Sequence, residues 1–210
     1  MNFEQIEASL EEISKELDEV EGKRERLLRE SRDVISLSGK AITDIHSMNL
    51  KDASLKIDKA KELLINLRKV SSNDLNRYLI VPETEYVEAS ALYSIAMEKP
   101  IPSYKELEVM NISYLLGLLD TIGEIKRRTY DEIRRGKSRE ASELFKIMEH
   151  LYVILLPLAV YDRLAKGLRR KLDVARILIE DTRSAVTEEA RRSELIKSIE
   201  GLFKRLPSYK

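Results

Sequence analysis

An apolar stripe that steps by four and then three residues runs through the first quarter of this chain. Ile6, Leu10, Ile13, Leu17 and Val20 open it, and Leu27, Val34, Ala41 and Ile45 continue it. Side chains at this spacing share one face of an α-helix, whereas in a strand they would alternate between faces. The stripe therefore predicts one long first helix, from Asn2 to about Met48, with Gly22 and Gly39 as its weak points. So regular a 4–3 pattern also suits a coiled-coil oligomer.

The same period continues to the end of the chain, and strand-like alternation is absent. Glycine and proline are scarce, at 7 and 5 of 210 residues. A second helix carries Ile57, Ala60, Leu63, Leu64, Leu67 and Val70, and a break covers Ser71 to Pro82. A third helix is expected from about Glu83 to Glu98, ended by Pro100 and Pro102, which cannot continue a helical ladder. The fourth runs from about Tyr104 to Arg135, stopped by Gly136. The fifth starts near Ser138 and is kinked or ended by Pro157. A sixth spans about Tyr161 to Arg183, and Thr187-Glu188-Glu189 opens a short terminal helix reaching about Phe203. The reading is all-α: one helical bundle of about seven helices over residues 1–186, then a short C-terminal helix and tail over 187–210.

Charge and composition narrow the function. The 37 basic and 37 acidic residues cancel, so a nucleic-acid site has to be a local basic patch rather than a global field. With no cysteine, disulfides, thiolate catalysis and Cys-based zinc sites are excluded. No signal-peptide core is visible at the N-terminus. The longest apolar run, HLYVILLPLAVY, is too short to span a bilayer and contains Pro157. A soluble, cytoplasmic protein without a membrane partner is expected.

Two pairs of carboxylates interrupt the most apolar segments. Glu85 and Glu88 lie in TEYVEASALYSIAM, and Asp120 and Glu124 lie in YLLGLLDTIGEI. Each pair falls on one helix face through its i,i+3 or i,i+4 spacing. A carboxylate taken out of water needs a compensating charge. A hard cation such as Mg²⁺ or Mn²⁺ suits four oxygen donors. Structural ion pairs with Lys126, Arg127 or Arg128 are the competing reading. If the third and fourth helices form a hairpin about the prolines, both pairs lie within ~18–30 Å of the turn, at ~1.5 Å rise per residue. Gly117 and Gly123 each cost about 1 kcal/mol of helix stability relative to Ala, which points to a close neighbour there. A di-iron site is disfavoured: His46 and His150 are the only histidines, and neither has Glu three positions earlier. Tyr86, Tyr93, Tyr114 and Tyr152 stand at helical spacing, as core residues or as platforms for bases. No phosphate-cradling glycine loop is present, so no nucleotide cofactor is expected.

EYVEA (Glu85–Ala89), followed 25 residues later by YLLGLLDTIGEIKR (Tyr114–Arg127), resembles the translin family. The likeness is closer to translin-associated factor X than to translin. RERLLRESRDVISLSGKAITDIH (Arg24–His46) resembles the basic first helix of that branch. The resemblance covers roughly Arg24 to Val186. It departs at Gly39, where a lysine is expected and Lys40 follows instead, and the stretch after Val186 has no clear counterpart.

The resemblance implies a bundle of about seven helices that assembles into a hollow homo-oligomer, commonly an octamer. It also implies a Mg²⁺-dependent endoribonuclease whose acid cluster falls on Glu85, Glu88, Asp120 and Glu124. The substrate is expected to be single-stranded RNA, with single-stranded DNA as a second ligand. Arg32, Lys40 and Arg127 are the cations expected at phosphates. The alternative is a non-catalytic, single-stranded nucleic-acid-binding protein of translin type.

Overall fold

The helical period is realised in six α-helices among the described residues. The computed structural model describes residues 3–71 and 73–205. The expected first residue of the long helix, Asn2, lies outside the described residues, as do Ser72 and residues 206–210 of the expected tail. Among the described residues there are six α-helices, two 3-10 segments and no strand. The helices are α1 (Glu4–His46), α2 (Leu50–Val70), α3 (Ile80–Ala96), α4 (Asn111–Arg134), α5 (Ser138–Leu155) and α6 (Leu168–Arg205). The chain divides into two compact units, Met1–Gly117 and Leu118–Lys210.

In the first unit α1, α2 and α3 pack on one another, with the 3-10 segment Asn73–Leu79 against all three. The α1 stripe supplies the packed face: Leu27, Ser31, Val34, Ser38, Ala41 and Ile45 are buried. Ala41, Ile42 and Ile45 join Ala53 of α2 and Ala89 and Leu92 of α3 in one apolar cluster. Helix α3 is buried on nearly every face, and Pro82 in its first turn removes an N–H that would have had no partner inside the helix. Met48, with φ 62°, and Glu98, with φ 55°, turn the backbone left-handed just past α1 and α3 and end both helices.

One expectation fails here: the fourth helix begins at Asn111 rather than near Tyr104. The N–H and Oγ of Ser103 both donate to the Glu106 carboxylate at 2.7 Å. Glu108 then adopts φ 57°, and the Val109 N–H returns to the Tyr104 carbonyl at 3.0 Å. That local turn uses the groups a helix would need.

In the second unit α5 packs on α6, and the 3-10 segment Leu156–Tyr161 contacts both. The break at Pro157 is observed, since α5 ends at Leu155 and the proline opens the 3-10 turn. The continuous stretch Ser138–Tyr161 has 24 residues, and an 18-residue window within it has a mean hydropathy of 1.6. By length and composition alone it is sufficient to cross a membrane, where the sequence reading took its apolar run as too short. Helix α6 departs from expectation in two ways. It starts after Gly167, whose φ of 93° suits glycine, and it continues through Thr187 without a break. A capping signal does not divide a helix that contains no breaker, and the packed stripe Ala175, Ile179, Thr182 and Val186 leads directly up to that region.

Candidate functional site

The first acid pair belongs to α3. Glu88 is 8% exposed, and Glu85, one turn earlier, is half-buried. Tyr86 lies between them, itself buried, and burial pushes its phenol above the ordinary value. Tyr86 is thus a core residue. Tyr114 is half-buried and donates its hydroxyl to the Pro102 carbonyl at 2.9 Å.

Within the first unit α3 meets the opening turns of α4 at Gly117. A Cβ at position 117 would fall 2.6 Å from the Val87 Cβ and 2.7 Å from the Thr84 carbonyl oxygen. The close approach expected at this glycine is therefore present. At Gly123 the nearest atom to an added Cβ would be Leu178 Cδ1 at 3.9 Å, an ordinary contact, and the expectation of close approach fails there.

A third carboxylate on α3 was overlooked by the sequence reading. Glu83 is 0% exposed. It accepts a hydrogen bond from Arg68 Nε at 3.0 Å and another from the Met110 N–H at 2.9 Å. This acid ties α2, α3 and the approach to α4 together. As a first-turn acid it looks solvated in sequence, but it sits four residues before Val87 on the buried side of α3.

The second acid pair belongs to the second unit, where both members are half-buried. Asp120 is paired with Lys171 of α6. Glu124 lies 3.8 Å from Arg127 on its own helix. Lys126 turns elsewhere, to Asp181 at 2.6 Å, and the Tyr130 hydroxyl donates to the same carboxylate at 2.9 Å. These two bonds, the one from Lys126 first, hold Asp181 below the usual carboxylate range. Burial lowers the Arg128 guanidinium, against a raising influence of Glu132.

The four carboxylates are all-oxygen donors and suit a hard cation chemically. As placed, Asp120 and Glu124 are each engaged by a cation. Among the described residues, no three His, Asp or Glu side chains form a group that could hold a metal ion.

Arg32 and Lys40 lie on the exposed side of α1 and make no ion pair among the described residues. Arg127 is exposed and bound to Glu124. The sequence reading also passed over a run of cations before and within the first turn of α6. Arg163, Lys166, Arg169 and Arg170 are all exposed, and among the described residues none forms an ion pair. Their density in sequence was the available signal.

The fold and these acids define an all-α protein with paired helical carboxylates. No protein-family model matches the chain. Uncharacterized protein MJ0175 of Methanocaldococcus jannaschii is 35% identical over 164 residues, covering 76% of this chain and 72% of that protein. AfC3PO is 33% identical at a TM-score of 0.80, covering 88% of this chain and 98% of its own. The structure of an AfC3PO–duplex RNA complex matches at 31% identity and a TM-score of 0.79, covering 88% and 97%. Apo-NeC3PO matches at 27% identity and a TM-score of 0.76, covering 86% and 96%. The chain belongs to the translin family.

Proposed function

We propose that this protein binds RNA and cleaves it in a Mg²⁺-dependent reaction, as a member of the factor X-like branch of its family. The observation that carries the reading is the likeness to AfC3PO, one structure of which is a complex with duplex RNA. In chain order, the acid pairs flank the connection between α3 and α4. Glu85 and Glu88 lie 11 and 8 residues before the end of α3, and Asp120 and Glu124 lie 9 and 13 residues after the start of α4. In this reading Glu85, Glu88, Asp120 and Glu124 hold Mg²⁺, or Mn²⁺ in its place. The bound ion supplies Lewis acidity at a scissile phosphate and lowers the pKa of an attacking water. Lys171 balances the charge of Asp120 when no metal is bound. Arg32, Lys40 and Arg127 contact phosphates, and Arg163, Lys166, Arg169 and Arg170 extend that surface. The working form is a cytoplasmic homo-oligomer, an octamer by family resemblance. Single-stranded RNA is the proposed substrate and single-stranded DNA a second ligand.

A second reading has its own support. The ion pairs Asp120–Lys171 and Glu124–Arg127 satisfy two of the acids without metal, as a non-catalytic RNA binder requires. Labelled single-stranded and duplex RNA, incubated with the full chain in Mg²⁺ or in EDTA, separates the two. Cleavage in Mg²⁺ that stops in EDTA supports the nuclease. Binding without cleavage in either condition supports the binder. In both cases binding weakens steeply as salt rises, because phosphate contacts release counterions. Affinity that is flat from 50 to 200 mM salt (about 10³-fold or more is expected for six or more contacts) contradicts RNA binding altogether.

A further inference from the structure

Lys171, in the first turn of α6, reaches across to Asp120 of α4 within the second unit. Both partners are half-buried, the lysine side chain 34% and the aspartate 28% exposed. Taking one member away from such a pair leaves the other charge partly out of water and unbalanced. The ammonium has no second acid on its own face of α6, since its neighbours one turn away are Leu168, Val174 and Ala175. Asp162, ahead of the helix, accepts the Arg169 N–H at 2.8 Å. On α4 the next acid is Glu124, one turn beyond Asp120 and 3.8 Å from Arg127.

Lysine is also the cation that can let go. Its ammonium is a compact point charge on a flexible stem, whereas arginine would grip the same carboxylate through two parallel N–H bonds. Arg169 and Arg170, beside it in sequence, are exposed and add to the positive field at this end of α6.

We infer that Lys171 is a phosphate-binding residue with two alternative partners. It holds Asp120 when no metal is bound. When Asp120 takes a divalent cation, the ammonium passes to a non-bridging phosphate oxygen of the RNA strand. Charges are matched in both states: carboxylate with ammonium before, carboxylate with divalent cation and ammonium with phosphate after. The inference rests on the metal-dependent reading above and adds to it a residue that touches substrate.

Two measurements on the full chain test it. Mn²⁺ binding without RNA is read from the loss of the free-ion EPR signal, and cleavage of labelled single-stranded RNA is read at saturating Mn²⁺. Lys171→Met keeps the stem and removes the charge. It is expected to bind Mn²⁺ about fivefold tighter, the scale of one competing ion pair removed. It is also expected to cleave about 100-fold more slowly, the scale of one lost charge-stabilising donor. Lys171→Arg keeps the charge and the tie to α4, and is expected to bind Mn²⁺ more weakly than wild type. A merely structural lysine gives no such opposite shifts. Tighter Mn²⁺ binding by Lys171→Met with cleavage unchanged overturns the phosphate contact. Unchanged Mn²⁺ affinity in both variants overturns the exchange of partners. Wild type is read first: if it binds no Mn²⁺, or cleaves equally in EDTA, the metal-dependent reading itself falls, and the exchange with it.

Discussion

At the residue scale, two glycines of α4 and one buried acid of α3 separate packing from spacing. Gly117 and Gly123 look alike in sequence, yet their surroundings differ. A methyl at 117 meets Val87 and the Thr84 carbonyl at 2.6 and 2.7 Å, while one at 123 meets a leucine tip at 3.9 Å. Gly117→Ala is therefore expected to cost about 1–3 kcal/mol through overpacking. Gly123→Ala is expected to gain up to about 1 kcal/mol from helix propensity. Urea denaturation of both variants checks the pair, and equal effects would refute the difference in packing. Glu83 is the other decisive residue, because it is fully buried between Arg68 and the Met110 N–H. Removing one member of such a pair leaves an uncompensated buried charge, so Glu83→Ala is expected to destabilise by about 3–5 kcal/mol. The double variant Glu83→Leu/Arg68→Met is expected to recover most of that loss, which the same denaturation series reads.

At the scale of elements, periodicity made the helices legible and local hydrogen bonding did not. The long α1, the break at Pro157 and the stop at Gly136 follow from stripe, proline and glycine. The start of α4 does not, because it depends on Ser103 bonding to Glu106 and on the left-handed Glu108, neither of which has a strong sequence mark. Continuity of α6 was missed for the opposite reason: Thr187-Glu188-Glu189 resembles a cap, but burial of Val186 and the lack of a breaker carry the helix onward. Both acid pairs could be read from their apolar context. Arg127, three residues from Glu124, was among the ion-pair partners that spacing suggested, whereas Lys171 was not, since it lies 51 residues from Asp120. The tie from α4 to α6 at Asp181 gives a pH prediction. Its pKa is held down by Lys126 and then Tyr130. The stabilisation is thus present above the ordinary aspartate pKa of about 3.9 and lost as pH falls through the lower folded-state value. Thermal melts from pH 7 to pH 2.5 are expected to show Asp181→Asn less stable than wild type at neutral pH, with the gap closing in acid. A gap that widens in acid would reverse the sign of the argument.

For the whole molecule, net neutrality means that attraction to RNA has to come from local cation groups rather than from an overall field. Replacing Arg169 and Arg170 together by Ala is expected to reduce the slope of log affinity against log salt by about 1 to 2, at any RNA sequence. Filter binding across a salt series measures it, and an unchanged slope would remove that segment from the interface. The central claim concerns the four carboxylates acting together. It is tested most directly by single-turnover cleavage of labelled single-stranded RNA in Mg²⁺, comparing wild type with Glu88→Gln and reading binding in the same samples. The account predicts that Glu88→Gln binds RNA as wild type does and loses cleavage by at least about 100-fold, the scale of one lost catalytic group. Undiminished cleavage by Glu88→Gln, or wild-type cleavage that persists in EDTA, would contradict it.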